Sequence, residues 1–296
     1  MYKLIAIDID GTLLTDDHKV TDEVKEAIRQ AKLKGVKVVL CTGRPLVGVE
    51  NYLTELELRE EGDYVISFNG AFVQDTFTKE VISHLTLGIE DLKDIYEVSL
   101  NSNLHMHFFD DKALYTPNRE IGKYTIVEAY LTGSQLIYKE IENVPEDFIM
   151  SKAMFIEEAP ELEVGIAKIP ESFREKYHLV RSTPFYLEIL NRDASKGNAV
   201  KELSEKLGIK QSEVICIGDQ ENDVTMLEFA GLGIAMGNAP ERIKQLADYT
   251  TASNNDSGVA KAIQKFVLDK IKQKRRFLFE SAFFNYLFKR IYFKIY

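Results

Sequence analysis

Two aspartates, Asp8 and Asp10, lie at the end of the first apolar run of the chain, Lys3–Ile9, in the sequence DIDGT at positions 8–12. Residues two apart at the end of a strand point to the same side, so the carboxylates of Asp8 and Asp10 can face one pocket. Such a pair suits a hard cation such as Mg²⁺, and it equally suits one nucleophile beside one proton donor. The alternative is a strand that ends in a polar turn at Gly11. We favour the chemical interpretation.

The sequence TGRP at positions 42–45 directly follows another apolar run, Val36–Cys41, and precedes a predicted helix. A hydroxyl group and the backbone N–H groups at a helix N-terminus can bind phosphate. The alternative is an ordinary helix cap, in which Thr42 accepts hydrogen bonds from the first turn. Both interpretations stay open on this motif alone.

Lys196 and Gly197 open a predicted helix, 196–207, that Gly208 ends. A lysine at a helix N-terminus opposes the helix dipole and is unfavourable there without a compensating group. An anionic ligand would compensate it. The pair is therefore weak evidence for an anion near Lys196.

Acidic residues cluster a second time in GDQEND at positions 218–223, after the apolar run Val214–Ile217. Asp219 could complete a metal site, and Asn222 could donate a hydrogen bond to phosphate. The alternative is a helix cap with acids that complement the dipole, which explains one acid more easily than three.

Short apolar runs alternate with helical patterns on both sides of the chain's middle, which predicts βαβ units and a Rossmann-like, doubly wound parallel sheet. The predicted strands of this α/β core are 3–9, 36–41, 64–68, 214–217 and 232–236. The predicted helices are one around Val24, Ile28 and Ala31, then about 45–58, 196–207, 222–230, 239–247 and 257–268. All four motifs fall at strand carboxyl ends or helix N-termini, where one crevice can collect them.

The sequence pattern changes between about His84 and Arg192, where stretches of alternating apolar and polar residues lie among short helical patterns. The alternating stretches are 104–109, 153–156 and 185–190, and the helices are 89–100 and 160–169. We predict a core formed by 1–83 and 193–269, an inserted α/β cap at 84–192, and a tail at 270–296. His105 and His107 share one face of a predicted cap strand, but a third metal ligand is missing, so an ordinary cap surface is favoured over a metal site.

The composition is that of a globular protein, with 45% hydrophobic and 28% charged residues among 296. It excludes disorder, a collagen and a disulfide framework. The net charge is −10, and the tail alone carries +7, so residues 1–269 carry −17. Such an acidic body argues against nucleic acid as the main partner. Cys41 and Cys216 lie in apolar runs and the first residues show no export signal, so we expect reduced thiols in a cytoplasmic protein.

The tail, 270–296, combines eight basic residues with nine of the chain's Phe and Tyr. Its longest mainly apolar piece, 277–288, is too short to span a membrane. The tail could lie in a membrane interface, dock on the acidic body or be an unselected extension. We favour an extension or incidental packing over membrane contact.

The motifs DIDGT, TGR, KG and GDQEND, in this order, resemble the four motifs of the haloacid dehalogenase (HAD) superfamily of phosphohydrolases. The insert between the second and third motifs resembles the cap of the Cof-type subfamily. Stretches such as LIAIDIDGTLL and GIAMGNA are similar to the YidA-type sugar phosphatases. The resemblance covers about residues 1–269 and ends before the tail.

The resemblance implies a role for each motif residue. Asp8 would be the nucleophile that forms an aspartyl-phosphate, and Asp10 the acid that protonates the leaving group and later the base that activates water. Mg²⁺ would be bound by Asp8, by the backbone carbonyl of Asp10 and by Asp219. The remaining candidates would bind the phosphate or support the site: Thr42, Gly43, Lys196 and Asn222 on the phosphate, Arg44 as a further substrate contact, Asp223 as a support for Lys196 or a metal-bound water, and Asn69 facing the crevice.

The resemblance therefore predicts a Mg²⁺-dependent phosphatase of small phosphorylated metabolites, with sugar phosphates as the favoured substrates. A phosphomutase or another phosphotransferase of the same superfamily is the enzymatic alternative. A regulator that binds ligand without turnover and an adaptor that acts through the tail are the alternatives from other classes. The acid Asp10 argues against a pure binding protein, which has no use for it.

Overall fold

The structure is a computed structural model, and it describes residues 1–110 and 112–269. The predictions for the tail at 270–296 fall outside the described residues. The described strands, in chain order, are β1 (Leu4–Ile7), β2 (Lys37–Cys41), β3 (Tyr64–Ser67), β4 (Phe72–Asp75), β5 (Val81–His84), β6 (His105–Phe109), β7 (Ala113–Thr116), β8 (Gln135–Tyr138), β9 (Lys152–Ile156), β10 (Tyr177–Thr183), β11 (Tyr186–Asn191), β12 (Val214–Gly218), β13 (Leu232–Ala235) and β14 (Tyr249–Thr250).

The α-helices alternate with these strands in both parts of the chain. They are α1 (Asp22–Leu33), α2 (Glu50–Glu55), α3 (Ile89–Ser102), α4 (Lys123–Thr132), α5 (Ala159–Ile166), α6 (Glu171–Lys176), α7 (Lys196–Lys206), α8 (Val224–Phe229), α9 (Glu241–Leu246) and α10 (Gly258–Ile263). Several are shorter than the sequence predicts. A separate 3₁₀ turn precedes α2 at Leu46–Gly48 and α8 at Glu221–Asp223, and a π-helical turn, Gln264–Leu268, follows α10.

The first sheet has eight strands in the order β14-β13-β12-β1-β2-β3-β4-β5. The strands from β14 to β3 run parallel, and β4 and β5 extend the sheet antiparallel. The predicted parallel α/β core is confirmed, whereas the β4–β5 hairpin is an addition that the sequence analysis missed. β1 lies between β2 and β12, so the segments that follow these three strands leave the same edge of the sheet.

The first sheet is buried on both faces, which explains the continuous apolar runs of its strands. Ile5 and Ile7 of β1 pack in one cluster with Ile28 of α1. Leu4 and Ala6 point the other way and pack in a second cluster with α7. Cys41 and Cys216 are buried and unbridged, and burial raises the pKa of both thiols, as expected of core residues.

The second sheet has six strands in the order β10-β11-β9-β6-β7-β8 and comes wholly from the inserted segment. One of its faces packs on the helices of the insert through residues such as Phe108 and Phe155. The opposite face, with Phe109 and Met154, packs against Phe68 of the first part of the chain. The division at residues 83/84 and 192/193 stays a prediction, although β5, which belongs to the first sheet, extends to His84.

The prediction of an ordinary surface at His105 and His107 is wrong for His107, which is completely buried. Its ring nitrogens lie 3.3 Å from Thr125 Oγ1 and 3.1 Å from Met154 Sδ. Burial, together with the charge of Lys152, holds the pKa of His107 well below its ordinary value. His107 is therefore a neutral core residue of the insert.

Because His107 resists protonation only in the folded state, acid should destabilise the protein through it. The unfolded chain takes up a proton near pH 6.5, so the free energy of unfolding falls as the pH drops below that value. We expect the thermal unfolding midpoint of His107→Gln to fall less between pH 7 and pH 5 than that of the wild type. The matched control is His105→Gln, on the same strand but partly exposed. Equal pH slopes for the wild type and His107→Gln would contradict this account.

No helix within the described residues is long and apolar enough to cross a membrane.

Candidate active site

The predicted nucleophile, Asp8, is buried at the carboxyl end of β1. Its backbone N–H donates to Ile217 O at 3.0 Å, which ties the end of β1 to β12. Lys196 Nζ donates to Asp8 Oδ1 at 2.6 Å, and within the described residues Asp8 Oδ2 accepts no hydrogen bond. The carboxylate is thus fixed by one oxygen and has the other available.

Lys196 bridges two aspartates from the first turn of α7. Its Nζ lies 2.6 Å from Asp8 Oδ1 and 2.6 Å from Asp223 Oδ1, and its side chain is 0% exposed. Ser195 begins the helix by accepting a hydrogen bond from Asn198 N at 3.1 Å. The two carboxylates supply the negative charge that the position of this lysine requires, so the helix N-terminus needs no external anion in this state.

Burial dominates the electrostatics of this cluster. It raises the pKa of Asp8 well above its ordinary value, with the neighbouring charge of Asp223 adding to the effect and Lys196 opposing it. Burial and Asp223 also raise the pKa of Asp219 to about 6. Lys196 loses solvation as well, but Asp223 and Asp8 outweigh this loss and raise its pKa. The cluster therefore carries excess negative charge that a cation would neutralise.

Asp219 follows β12 and is positioned by the loop after Asp8. Thr12 Oγ1 donates to Asp219 Oδ1 at 2.9 Å, and Gln220 Nε2 donates to Asp219 Oδ2 at 3.1 Å. Gly11, with φ +76°, lets this loop approach, since a Cβ there would lie 2.5 Å from Asp219 Oδ2. Only glycine fits the turn between the two acidic motifs.

Asp8, Asp219 and Asp223 bring carboxylate oxygens within 4.8 Å of one another. Asp223 has both oxygens engaged, one by Lys196 and the other by the backbone N–H groups of Asp219 and Gln220 at 2.8 and 3.0 Å. Buried carboxylate oxygens are ligands that suit Mg²⁺, so the residues present fit this ion. The Asp219 oxygens accept only from the neutral side chains of Thr12 and Gln220, whereas Asp223 is held by the Lys196 ammonium and two backbone N–H groups, which suits a supporting residue.

Asp10 does not join this cluster through its side chain. Arg44 binds its carboxylate with two hydrogen bonds, from Nε at 2.8 Å and from Nη2 at 2.5 Å. The Asp10 side chain is 52% exposed, and the Arg44 guanidinium is backed by the ring of Tyr52 at 5.5 Å. Asp10, the predicted acid, and Arg44, the predicted substrate contact, therefore form an ion pair with each other.

The other predicted phosphate-binding residues meet at the ends of β2 and β3. Thr42 is buried, and its Oγ1 accepts from Arg44 N at 3.2 Å. Asn222 Nδ2 donates to Asn69 Oδ1 at 3.0 Å. A Cβ at Gly43 would lie 2.9 Å from Asn69 Nδ2, so these residues form one packed set.

A cavity of about 280 Å³ joins this set to the insert. Its wall outside the insert is formed by Asp8, Asp10, His18, Thr42, Gly43, Arg44, Gln220 and Asn222, and its wall in the insert by Glu128, Leu131, Thr132, Lys152, Met154, Ser182, Thr183, Tyr186 and Glu188. A larger groove of about 820 Å³ lies along α1 and α10 but contains none of the predicted site residues. The chemistry therefore belongs to the smaller cavity.

The charged wall residues of the insert were missed by the sequence analysis. Lys152 Nζ donates to Gly43 O at 3.1 Å and to Glu188 Oε2 at 3.2 Å. Asn69 Nδ2 donates to the same Glu188 oxygen at 2.8 Å. The sequence did contain a sign of them, because each is the single charged residue of an otherwise mainly apolar stretch. Lys152 lies in KAMFI, and Glu188 lies in YLEIL.

The chain is similar over nearly its whole described length to known hydrolases. A family model described as haloacid dehalogenase-like hydrolase matches residues 5–263. "Putative phosphatase YxeH" of Bacillus subtilis (strain 168) is 55% identical over 270 residues, which are 91% of this chain and 100% of that protein. The chain therefore belongs to the haloacid dehalogenase-like hydrolase family.

Solved structures agree with this assignment. A haloacid dehalogenase-like hydrolase from Bacteroides thetaiotaomicron matches with a TM-score of 0.79 at 30% identity, covering 90% of this chain and 99% of that one. The HAD subclass IIB sugar phosphatase BT4131 matches with a TM-score of 0.75 at 26% identity, covering 89% and 98%. The predicted superfamily, the fold class and the general class of phosphatase are confirmed, and a phosphatase of this family acts on a phosphorylated small molecule. The assignment of each residue to catalysis, phosphate or metal stays a prediction.

Proposed function

We propose that the protein is a Mg²⁺-dependent phosphatase of small phosphorylated metabolites, with sugar phosphates as its substrates and Asp8 as its nucleophile. The observation that carries this proposal is the position of Asp8. It borders the cavity at the end of β1, and Lys196 fixes one of its oxygens while the other is available. The name of BT4131 as a sugar phosphatase supports the substrate class.

The first step follows from this geometry. The available oxygen of Asp8 attacks phosphorus, the bond from phosphorus to the leaving oxygen breaks, and Asp10 gives that oxygen a proton. Water then attacks the phosphorus of the aspartyl-phosphate and passes a proton to Asp10, the bond from phosphorus to the Asp8 oxygen breaks, and inorganic phosphate leaves with the Asp8 carboxylate restored. Asp10 has to exchange its bonds to Arg44 for bonds to the leaving group and then to water.

The remaining polar groups act on the phosphoryl oxygens. Thr42, the backbone at Gly43, and Asn222 lie on the cavity wall, where they can donate hydrogen bonds. Lys196 places a positive charge beside Asp8 and so lowers the repulsion between the carboxylate and the phosphoryl group. Mg²⁺, bound by Asp8, Asp219 and the carbonyl of Asp10, would supply further positive charge when present.

The alternatives differ in what happens to the phosphoryl group. A phosphomutase or phosphotransferase would use the same aspartyl-phosphate but pass it to a second alcohol, so free phosphate would not accumulate. A regulator without turnover would release no product at all. Phosphate release from a panel of sugar phosphates therefore separates the three.

Removal of the metal should stop turnover and lower stability. We expect no phosphate release in EDTA, full recovery with Mg²⁺, and a Mg²⁺-dependent rise of the thermal midpoint, since a ligand of the folded state alone stabilises it. Asp219→Asn should raise the Mg²⁺ concentration for half-activation by about 10-fold or more. The control is Asp22→Asn, an exposed aspartate in the first turn of α1. Full activity in EDTA, or an unchanged Mg²⁺ requirement in Asp219→Asn, would overturn this part of the proposal.

A further inference from the structure

Glu128 is the one acidic residue of the cavity wall without a hydrogen-bond partner for its carboxylate among the described residues. Asp8 is bound by Lys196, Asp10 by Arg44, and Glu188 by Lys152 and Asn69. The Glu128 side chain is only 12% exposed, and the nearest cation, Lys152 Nζ, lies 3.9 Å from Oε1. A largely buried carboxylate without donors is costly, which indicates a site prepared for donors from outside the chain.

An ionised carboxylate only accepts hydrogen bonds, and a hydroxyl group can donate one. Glu128 therefore matches the hydroxyl groups of a polyol.

The charges of this wall favour a neutral ligand. On the insert wall, Glu128 and Glu188 face Lys152, whose Nζ already donates to Glu188 and to Gly43 O, and Arg44 on the other wall pairs with Asp10. Burial raises the pKa of Glu128, and the charge of Lys152 opposes this effect. A second phosphate or carboxylate on the substrate would meet two glutamates and find the nearby cation occupied.

The cavity places these groups opposite the predicted nucleophile. Asp8 and Asp10 border it from the first part of the chain, and Glu128 and Glu188 border it from the insert. Its volume of about 280 Å³ is at the small end for ligand pockets, which suits a single small molecule. With the phosphate at Asp8, the rest of such a molecule faces the insert.

We propose that Glu128 is a specificity-determining residue, and that it selects phosphate monoesters of neutral polyhydroxylated alcohols. Glu128 accepts hydrogen bonds from substrate hydroxyl groups, and the negative wall rejects substrates with a second anionic group. This inference rests on the proposed phosphatase function, and it adds the residue that recognises the alcohol.

The test compares two substrates that share the phosphate and differ in the alcohol. A hexose 6-phosphate carries hydroxyl groups, and p-nitrophenyl phosphate carries none. In Glu128→Gln we expect the ratio of their kcat/KM values, hexose phosphate over p-nitrophenyl phosphate, to fall about 10- to 100-fold, the range for a hydrogen bond to a charged group. In Glu128→Gln the kcat/KM for a hexose bisphosphate should rise relative to the monophosphate.

The matched control is Glu161→Gln, an exposed glutamate of α5, which should leave the ratio as in the wild type. An unchanged ratio in Glu128→Gln would overturn this inference, whether or not both rates fall. Wild-type activity on p-nitrophenyl phosphate but on no hexose phosphate would also overturn it and leave the phosphatase assignment intact. Absence of wild-type activity on both substrates with Mg²⁺ present would instead overturn the proposed function.

Discussion

Replacing Asp8 by asparagine should abolish phosphate release from every substrate that the wild-type protein hydrolyses. The amide is a very poor nucleophile, and the aspartyl-phosphate cannot form, so we expect a loss of at least about 10³-fold in kcat. The measurement is phosphate release from hexose 6-phosphate and p-nitrophenyl phosphate at saturating Mg²⁺. Retention of more than a tenth of the activity would contradict the role of Asp8.

The same variant should stay folded, which separates a lost nucleophile from a lost structure. Because the pKa of buried Asp8 is raised in the folded state, its ionised form destabilises the fold at neutral pH. Without metal, Asp8→Asn removes one of three crowded negative charges, and Lys196 keeps its bond to Asp223. We therefore expect its thermal midpoint in EDTA to be at least as high as that of the wild type, and a large drop would indicate a structural defect instead.

Asp10→Asn should separate the two chemical steps. The loss of the proton donor should cost about 10²- to 10⁴-fold in steady-state turnover of a hexose phosphate, whose leaving alkoxide needs a proton. p-Nitrophenolate leaves without one, so phosphorylation of Asp8 by p-nitrophenyl phosphate should continue while hydrolysis of the intermediate slows. Rapid mixing should then show a burst of about one p-nitrophenolate per enzyme, followed by slow release.

Two comparisons keep the burst experiment decisive. Asp8→Asn should show no burst, and Arg44→Ala, which removes the partner of Asp10 but not its carboxyl group, should keep more hexose phosphate turnover than Asp10→Asn. If Asp10→Asn lost activity equally on both substrates and showed no burst, Asp10 would be needed for the phosphorylation of Asp8 whatever the leaving group.

The sequence predicted the placement of the motifs well because a parallel sheet leaves few choices. Asp8, Thr42 and Asp219 each follow a buried apolar strand, and neighbouring strands of one orientation end at one edge. The unusual lysine at a helix start also indicated that negative charge lies nearby. Its partners, however, are two aspartates of the chain rather than a ligand alone.

The pairing of Asp10 with Arg44 was not predictable in the same way. Both residues stand in loops after strands, where side-chain direction depends on local turns and not on the strand period. The sequence assigned one to the leaving group and the other to the substrate. In the structure each is the other's partner, which is a state that substrate binding has to change.

The wall of the insert was the larger omission, for a reason of distance along the chain. Lys152 contacts Gly43, which is 109 positions away in the sequence, and Glu188 contacts Asn69, which is 119 positions away. Periodicity places a residue on the face of a strand but does not say which part of the chain will cover that face. Single charges within apolar strands are the trace that such a contact leaves in the sequence, as Lys152 and Glu188 show.

Trapping the phosphoryl group on Asp8 would show most directly that this residue is the nucleophile. Asp10→Asn would be mixed with p-nitrophenyl phosphate and Mg²⁺, quenched in acid within the burst, digested and analysed by mass spectrometry. We expect one phosphoryl group per chain on the peptide that contains Asp8, and none in Asp8→Asn. Phosphate on another residue, or turnover by the wild type with no phosphorylated peptide in either the wild type or Asp10→Asn, would contradict it.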